Sequence, residues 1–296
     1  MARLPRWLKW PLVRLWNAGH RLAWRSGEYA GALCHGRMET CDVCGRFGPM
    51  LYQRRVIPPK LEELWGLTPR LAEALARKET CACAWCGATL RVRRLARVLV
   101  DIVPATDNGD RVRSLADWVG RDHPRSLRIA EINRIVGMHE QLARLPAVAS
   151  SDFQPGTAPG ATIGADRSED LTQLSYADGS FDIVLTSETL EHVPDLDAAL
   201  SEIRRVLVPG GLHLFTIPVL PGVPRTFARS IVLPDRSVKH VAQPICHPGG
   251  DQGYPVFTEF GADVAERLHD AGFDVEVRFG PVRDDDLAQV YVARRR

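Results

Sequence analysis

Lysine is almost missing from this chain of 296 residues: Lys9, Lys60, Lys78 and Lys239 are all of it, and arginine supplies the other positive charges. That bias looks like codon composition and carries no function. A charge imbalance is missing too. Basic and acidic residues number 38 and 36, a net charge of +2, so no global positive field marks a nucleic-acid binder. No apolar run is long enough for a membrane-spanning helix. There is no secretory leader, so the chain is expected in the cytoplasm and its seven cysteines are expected to stay reduced. Internal repeats are absent. What remains, 45% hydrophobic and 25% charged residues, is an ordinary globular balance. It suits a catalytic domain of about 170 residues beside a smaller module.

The cysteines are not scattered. Cys41-Asp-Val-Cys44-Gly and Cys83-Ala-Trp-Cys86-Gly are both Cys-x-x-Cys-Gly knuckles. Two residues between thiolates let one turn present both sulfurs to a tetrahedral ion, and the glycine permits the reversal. Two knuckles together fit a closed four-thiolate structural zinc site at Cys41, Cys44, Cys83 and Cys86. The 38 residues between them are long for a compact ribbon, so the insert is expected to carry a helix around residues 61–76. Cys34 and Cys81 are rival ligands, and Cys246 reads as a lone thiol. Arg91, Arg93 and Arg94 follow the second knuckle; a solvated helix face is the usual reading of such a run.

Residues 180–192, SFDIVLTSETLEH, carry the fold. Ile183, Val184 and Leu185 form the short apolar run of a buried parallel strand. It breaks at Ser187-Glu188, which places polar side chains at the strand's carboxyl end, where open α/β sheets bind ligands. Leu196, Leu200, Ile203 and Leu207 recur at helical spacing, and Pro209-Gly210-Gly211 ends the helix before a strand over residues 212–217. This succession resembles the second half of a class I S-adenosylmethionine (SAM)-dependent methyltransferase of the type 11-like kind.

The resemblance implies a Rossmann-like seven-stranded sheet of order 3-2-1-4-5-7-6, with the zinc module ahead of it. Phe273–Phe279 and Ala288–Ala293 read as its closing hairpin. It implies SAM as cofactor beside the structural Zn2+. The family's acid and Gly-x-Gly-x-Gly turn fall on Glu131-Ile-Asn133-Arg-Ile135-Val-Gly137, a glycine-poor version. Asn133 tolerates the positive φ of a tight turn, whereas the branched Cβ of Ile135 crowds a ligand's approach. Asp170 and Leu171 match the positions that meet adenine. Asp152 is the candidate for the ribose, with Asp166 as rival; Ser187 and Glu188 complete the cofactor set. A Cys-rich knuckle running into an Arg-rich helix ahead of this domain also resembles a bacterial group met near polysaccharide-assembly genes. The likeness spans roughly residues 41–275.

The expected organisation is a basic, Trp-rich segment over residues 1–33, a zinc module over 34–98, a linker over 99–124 and the methyltransferase domain over 125–296. In residues 1–27, six basic side chains interleave with Trp7, Trp10, Trp16 and Trp24. Such a segment suits peripheral contact with an anionic membrane, packing on the zinc module, or organellar targeting. Residues 219–254 insert Arg225, Arg229, Arg236, His240, Cys246, His247 and Asp251 over the sheet's carboxyl edge, where an acceptor pocket belongs. His240, Cys246, His247 and Asp251 also suggest a metal, at a spacing that fits no tight motif.

Three functions follow. The first is methyl transfer to a small molecule or glycan, at a hydroxyl, with His192 as base and His240 or His247 as alternatives. The second is an RNA methyltransferase with a zinc module, supported only by residues 1–27. The third is a methyltransferase-like scaffold that no longer binds SAM.

Overall fold

The computed structural model describes residues 38–52, 57, 59–103, 111–122, 127–164, 166–219, 222–233, 235, 237–247, 253–280 and 287–296. The Trp-rich segment 1–27, Cys34, Arg236 and Asp251 lie outside them.

The first unit is a three-stranded antiparallel sheet. β1 (Met38–Thr40) pairs with β2 (Phe47–Leu51), and β2 with β3 (Ala82–Cys83), setting Met50 opposite Cys83. Two helices fill the insert between the knuckles: α1 (Pro59–Leu64) and α2 (Pro69–Thr80). Pro69 starts α2, and the Thr68 side chain accepts the Leu71 amide at 3.3 Å, so the start is pre-shaped and capped. α3 (Leu90–Ile102) then crosses the boundary expected at residue 98. It buries Leu90, Val92, Leu95, Ala96, Leu99 and Val100. Its arginines are not all a solvated face. Arg93 is buried and paired with Glu39 at 3.0 Å. α4 (Leu115–Val119) packs beside it, with Trp118 donating to the Val103 carbonyl at 2.7 Å.

The main sheet has β4 (Ile129–Ile132), β5 (Val148–Ser151), β6 (Phe181–Ser187), β7 (Leu207–Thr216), β8 (Phe273–Arg278) and β9 (Val290–Arg295), in the order β8-β9-β7-β6-β4-β5. The four from β5 to β7 are parallel, and β9 runs antiparallel both to β7 and to β8. The expected order differs at one edge. Where a seventh strand would flank β5 there is one parallel bridge, Asp152 with Ser168. The Pro- and Gly-rich loop 154–164 supplies neither strand nor crossover helix, apart from a two-residue ladder of Thr162–Ile163 with Asp166–Arg167. Pro209–Gly211 does not separate helix from strand: β7 begins at Leu207 and a register shift opposite Phe181–Ile183 absorbs the three residues.

Side chains alternate across the sheet, as the strand period requires. Ile183, Leu185, Leu212, Leu214, Val290 and Val292 face one side, in one core with Cys41, Cys83, Leu95 and Trp118. Val184, Phe215, Tyr291 and Ala293 face the other, against α6 (Leu196–Val206) and α7 (Val264–Asp270). The cysteine module is therefore part of the sheet's own packing.

Candidate functional site

The turn after β4 is built on two residues in left-handed backbone. Asn133 adopts φ +59° and Gly137 φ +83°. The Asn133 amide donates to Ser151 and its Oδ1 accepts from Phe153, each at 2.9 Å, which ties this turn to the end of β5. Glu131 is fully buried. Its carboxylate accepts the Ile135 amide (3.0 Å), the Ser150 hydroxyl (2.8 Å) and His139 Nδ1 (2.7 Å). Ile135 does not stand in the way of a ligand: its side chain is buried in the core shared with Cys83, Ala88 and Met138. A Cβ on Gly137 would lie 2.9 Å from both Ala88 Cβ and the Cys86 carbonyl. The second knuckle therefore rests directly on this turn.

Asp152 follows β5 and accepts the Arg134 amide at 2.9 Å. The Arg134 guanidinium pairs with Asp152 and with Asp166, so the two rival carboxylates share one cation. Asp170 Oδ1 accepts the amide and hydroxyl of Thr172 at 2.8 and 2.7 Å, over buried Leu171. Phe153 stands exposed between these acids.

At the end of β6, Ser187 and Glu188 meet a cation pair that sequence reasoning missed. Lys78, from α2, is 1% exposed and lies 3.1 Å from Glu188 and 3.3 Å from Glu79. Arg91, from α3, donates to Glu79 at 2.9 Å and to Ser187 Oγ at 2.7 Å. Burial opposes the Glu79 charge, yet Arg91 and then Lys78 overcome it and hold the carboxyl down to about 2. Glu188 itself takes φ +49°, a strained value of the kind that gathers at functional sites. One signal was available: Leu75 and Lys78 sit three apart on the buried side of an amphipathic helix, where a lysine needs a partner.

His192 lies in the turn after β6. Its Nδ1 donates to the Pro255 carbonyl at 2.7 Å, which leaves Nε2 with its lone pair facing Glu191 Oε1 at 3.5 Å. Burial keeps the imidazole below its ordinary pKa, and holds nearby His247 down to about 4. His247 Nδ1 is 3.9 Å from the same carboxylate oxygen. Its expected companions are elsewhere: His240 hydrogen-bonds Ser230 and Cys246 is exposed.

The four knuckle sulfurs converge. Cys41 Sγ is 3.7 Å from Cys86 Sγ, Cys44 Sγ is 3.8 Å from Cys83 Sγ, and all four lie within 4.8 Å of one another. Zinc–sulfur bonds of about 2.3 Å in a tetrahedron require sulfurs roughly 3.8 Å apart; a disulfide requires about 2 Å. Gly45 and Gly87 take φ +73° and +74°, the reversal expected after each knuckle. Cys81, the rival, faces Arg93 instead.

Residues 138–215 match the family model described as a methyltransferase domain. This methyltransferase match contains Asp152, Asp170, Leu171, Ser187, Glu188 and His192. It begins one residue after Gly137, so the altered turn and the cysteine module fall outside it. A ubiquinone biosynthesis O-methyltransferase of Cereibacter sphaeroides is 35% identical over 116 residues, 36% of this chain and 46% of that one. An arsenite methyltransferase of Aquipseudomonas alcaligenes is 32% identical over 121 residues, 39% of this chain and 34% of that one. The chain thus spans less than half the length of these relatives. Among solved structures, the 1,6-didemethyltoxoflavin-N1-methyltransferase of Burkholderia thailandensis has a TM-score of 0.42 and 15% identity, covering 83% of this chain and 94% of that one. No helix among the described residues is long and apolar enough to cross a membrane.

Proposed function

We propose that this chain transfers a methyl group from SAM to a hydroxyl of a small-molecule or glycan acceptor, with a structural zinc at Cys41, Cys44, Cys83 and Cys86. One observation carries the reading. The Asn133 turn and Asp152 follow the carboxyl ends of neighbouring parallel strands β4 and β5, the ligand edge of an open α/β sheet, and Asp170 lies two residues past the Ser168 bridge to Asp152. Glu131 and Asn133 shape the turn, Asp152 suits ribose hydroxyls, and Asp170 with Leu171 suits adenine. Ser187 and Glu188, fixed by Arg91 and Lys78, complete the cofactor set. SAM, when bound, supplies a methyl group already activated on a sulfonium. The protein's share is alignment and exclusion of water, which can supply up to about 7–11 kcal/mol. His192 is the proposed residue at the acceptor, since the lone pair on Nε2 is available to a proton or to a cation.

The scaffold reading keeps one specific support: Arg134 occupies Asp152, the carboxylate that ribose needs. Calorimetric titration of the zinc-loaded chain with SAM and S-adenosylhomocysteine, repeated on Asp170→Ala and Arg134→Ala, separates the two. Micromolar binding weakened by Asp170→Ala supports the enzyme. No binding by folded wild type or folded Arg134→Ala leaves the scaffold.

A further inference from the structure

Glu191 is an anomaly in a well-paired site. It is 0% exposed, and neither carboxylate oxygen has a hydrogen-bond donor among the described residues. Lys78 and Arg91 act on its charge from nearby, but their ion pairs are made with Glu188 and Glu79. A buried acid with no partner calls for an explanation, and an ion is one of the few that chemistry offers.

Two ring nitrogens lie close to Glu191 Oε1. His192 Nε2 lies at 3.5 Å and His247 Nδ1 at 3.9 Å, and the three ligand atoms fall within 4.8 Å of one another. Four-coordinate zinc, with bonds of about 2.0–2.2 Å to nitrogen and oxygen, sets its ligand atoms roughly 3.3 Å apart. The two nitrogen–oxygen separations exceed that by about 0.2 and 0.6 Å. The outer partner is in place, since His192 donates Nδ1–H to Pro255 and so turns Nε2 inward as a ligand atom. His247 is steadied by Trp65, edge-on at 6.2 Å, whose indole is held by Glu259.

We propose that Glu191, His192 and His247 bind a divalent first-row transition-metal ion, zinc in the first instance, as a second metal site distinct from the four cysteines. Two imidazoles and one carboxylate are the donor set of metal centres that keep a coordination position open. Both rings are about one-fifth exposed, so an ion can reach them from solvent. The site draws one ligand from the insertion and two from the turn after β6, and so pins the insertion to the sheet's edge. The proposal does not depend on SAM binding; with an ion on Nε2, His192 serves as a ligand rather than as the base at the acceptor.

The test is metal stoichiometry of the full chain. Purified wild type, Glu191→Gln, His247→Ala and Cys83→Ser are titrated with Zn2+ and with Co2+ as a spectroscopic substitute, and bound metal is counted by elemental mass spectrometry. Wild type is expected to take two equivalents. Glu191→Gln and His247→Ala each lose one, and the cobalt they lose shows no thiolate charge-transfer band. Cys83→Ser loses the equivalent that shows it. A single equivalent in wild type, or two in both Glu191→Gln and His247→Ala, overturns the site. His247 sits in a partly exposed two-residue ladder, so its variant carries the test if Glu191→Gln fails to fold. No arm contains SAM, so failure here leaves the methyl-transfer reading untouched.

Discussion

Lys78 is the residue on which two units of the molecule meet. Its ammonium is buried against Glu188, itself only 12% exposed. Removing one partner of such a pair strands the other charge, which costs about 3–5 kcal/mol. Lys78→Met is therefore expected to lose about that much in urea denaturation. The double variant Lys78→Met/Glu188→Gln should recover a large part, and simple additivity in that cycle would refute the coupling. His213 gives a second prediction. It is fully buried on β7, stacks on Phe215 at 4.2 Å, and burial lowers its pKa to about 3. The unfolded imidazole titrates near 6.5, so His213 stabilises fully above that pH, and the contribution is lost as pH falls towards 3. Glu79 acts in a lower window, from about 4.5 to about 2. Urea midpoints across pH should fall through the upper window in wild type and stay flatter there in His213→Leu.

Among elements, the turn after β4 decides how the cysteine module and the sheet work together. Gly137→Ala forces a side chain into left-handed backbone and against Ala88 and Cys86. The backbone cost of about 1–2 kcal/mol and overpacking of about 1–3 kcal/mol give an expected loss of about 2–5 kcal/mol. Thermal unfolding of the variant checks it, and an unchanged midpoint would mean the knuckle does not bear on the turn. Much at this scale was legible. Strands β6, β8 and β9 and helix α6 follow from apolar periodicity, and the knuckles from spacing alone. Ile135 was misread because a sequence shows that a side chain is branched, not which way its Cβ points. A single bridge at Ser168 stands where a strand was expected, and the Pro- and Gly-rich loop 154–164 holds no more than a two-residue ladder with Asp166–Arg167. Lys78, Arg91 and His247 reach one site across distances in sequence that no local pattern encodes.

In the whole molecule, the cysteine module, both faces of the sheet and the insertion converge on one edge. Stripping the four-cysteine site should therefore disturb more than the module. Treatment with a chelator is expected to lower the unfolding temperature and weaken SAM binding together, because α2 and α3 hold Glu188 and Ser187. Unchanged SAM affinity after complete loss of the cysteine-bound metal would separate the module from the site. The central claim is that SAM binds across the carboxyl ends of β4 and β5. The most direct measurement is a crystal structure of the metal-loaded chain with S-adenosylhomocysteine. The account expects ligand density over the 131–137 turn, the ribose at Asp152 with Arg134 moved aside, and adenine beside Asp170. An unliganded edge at saturating ligand, with Arg134 still closed on Asp152, would contradict it.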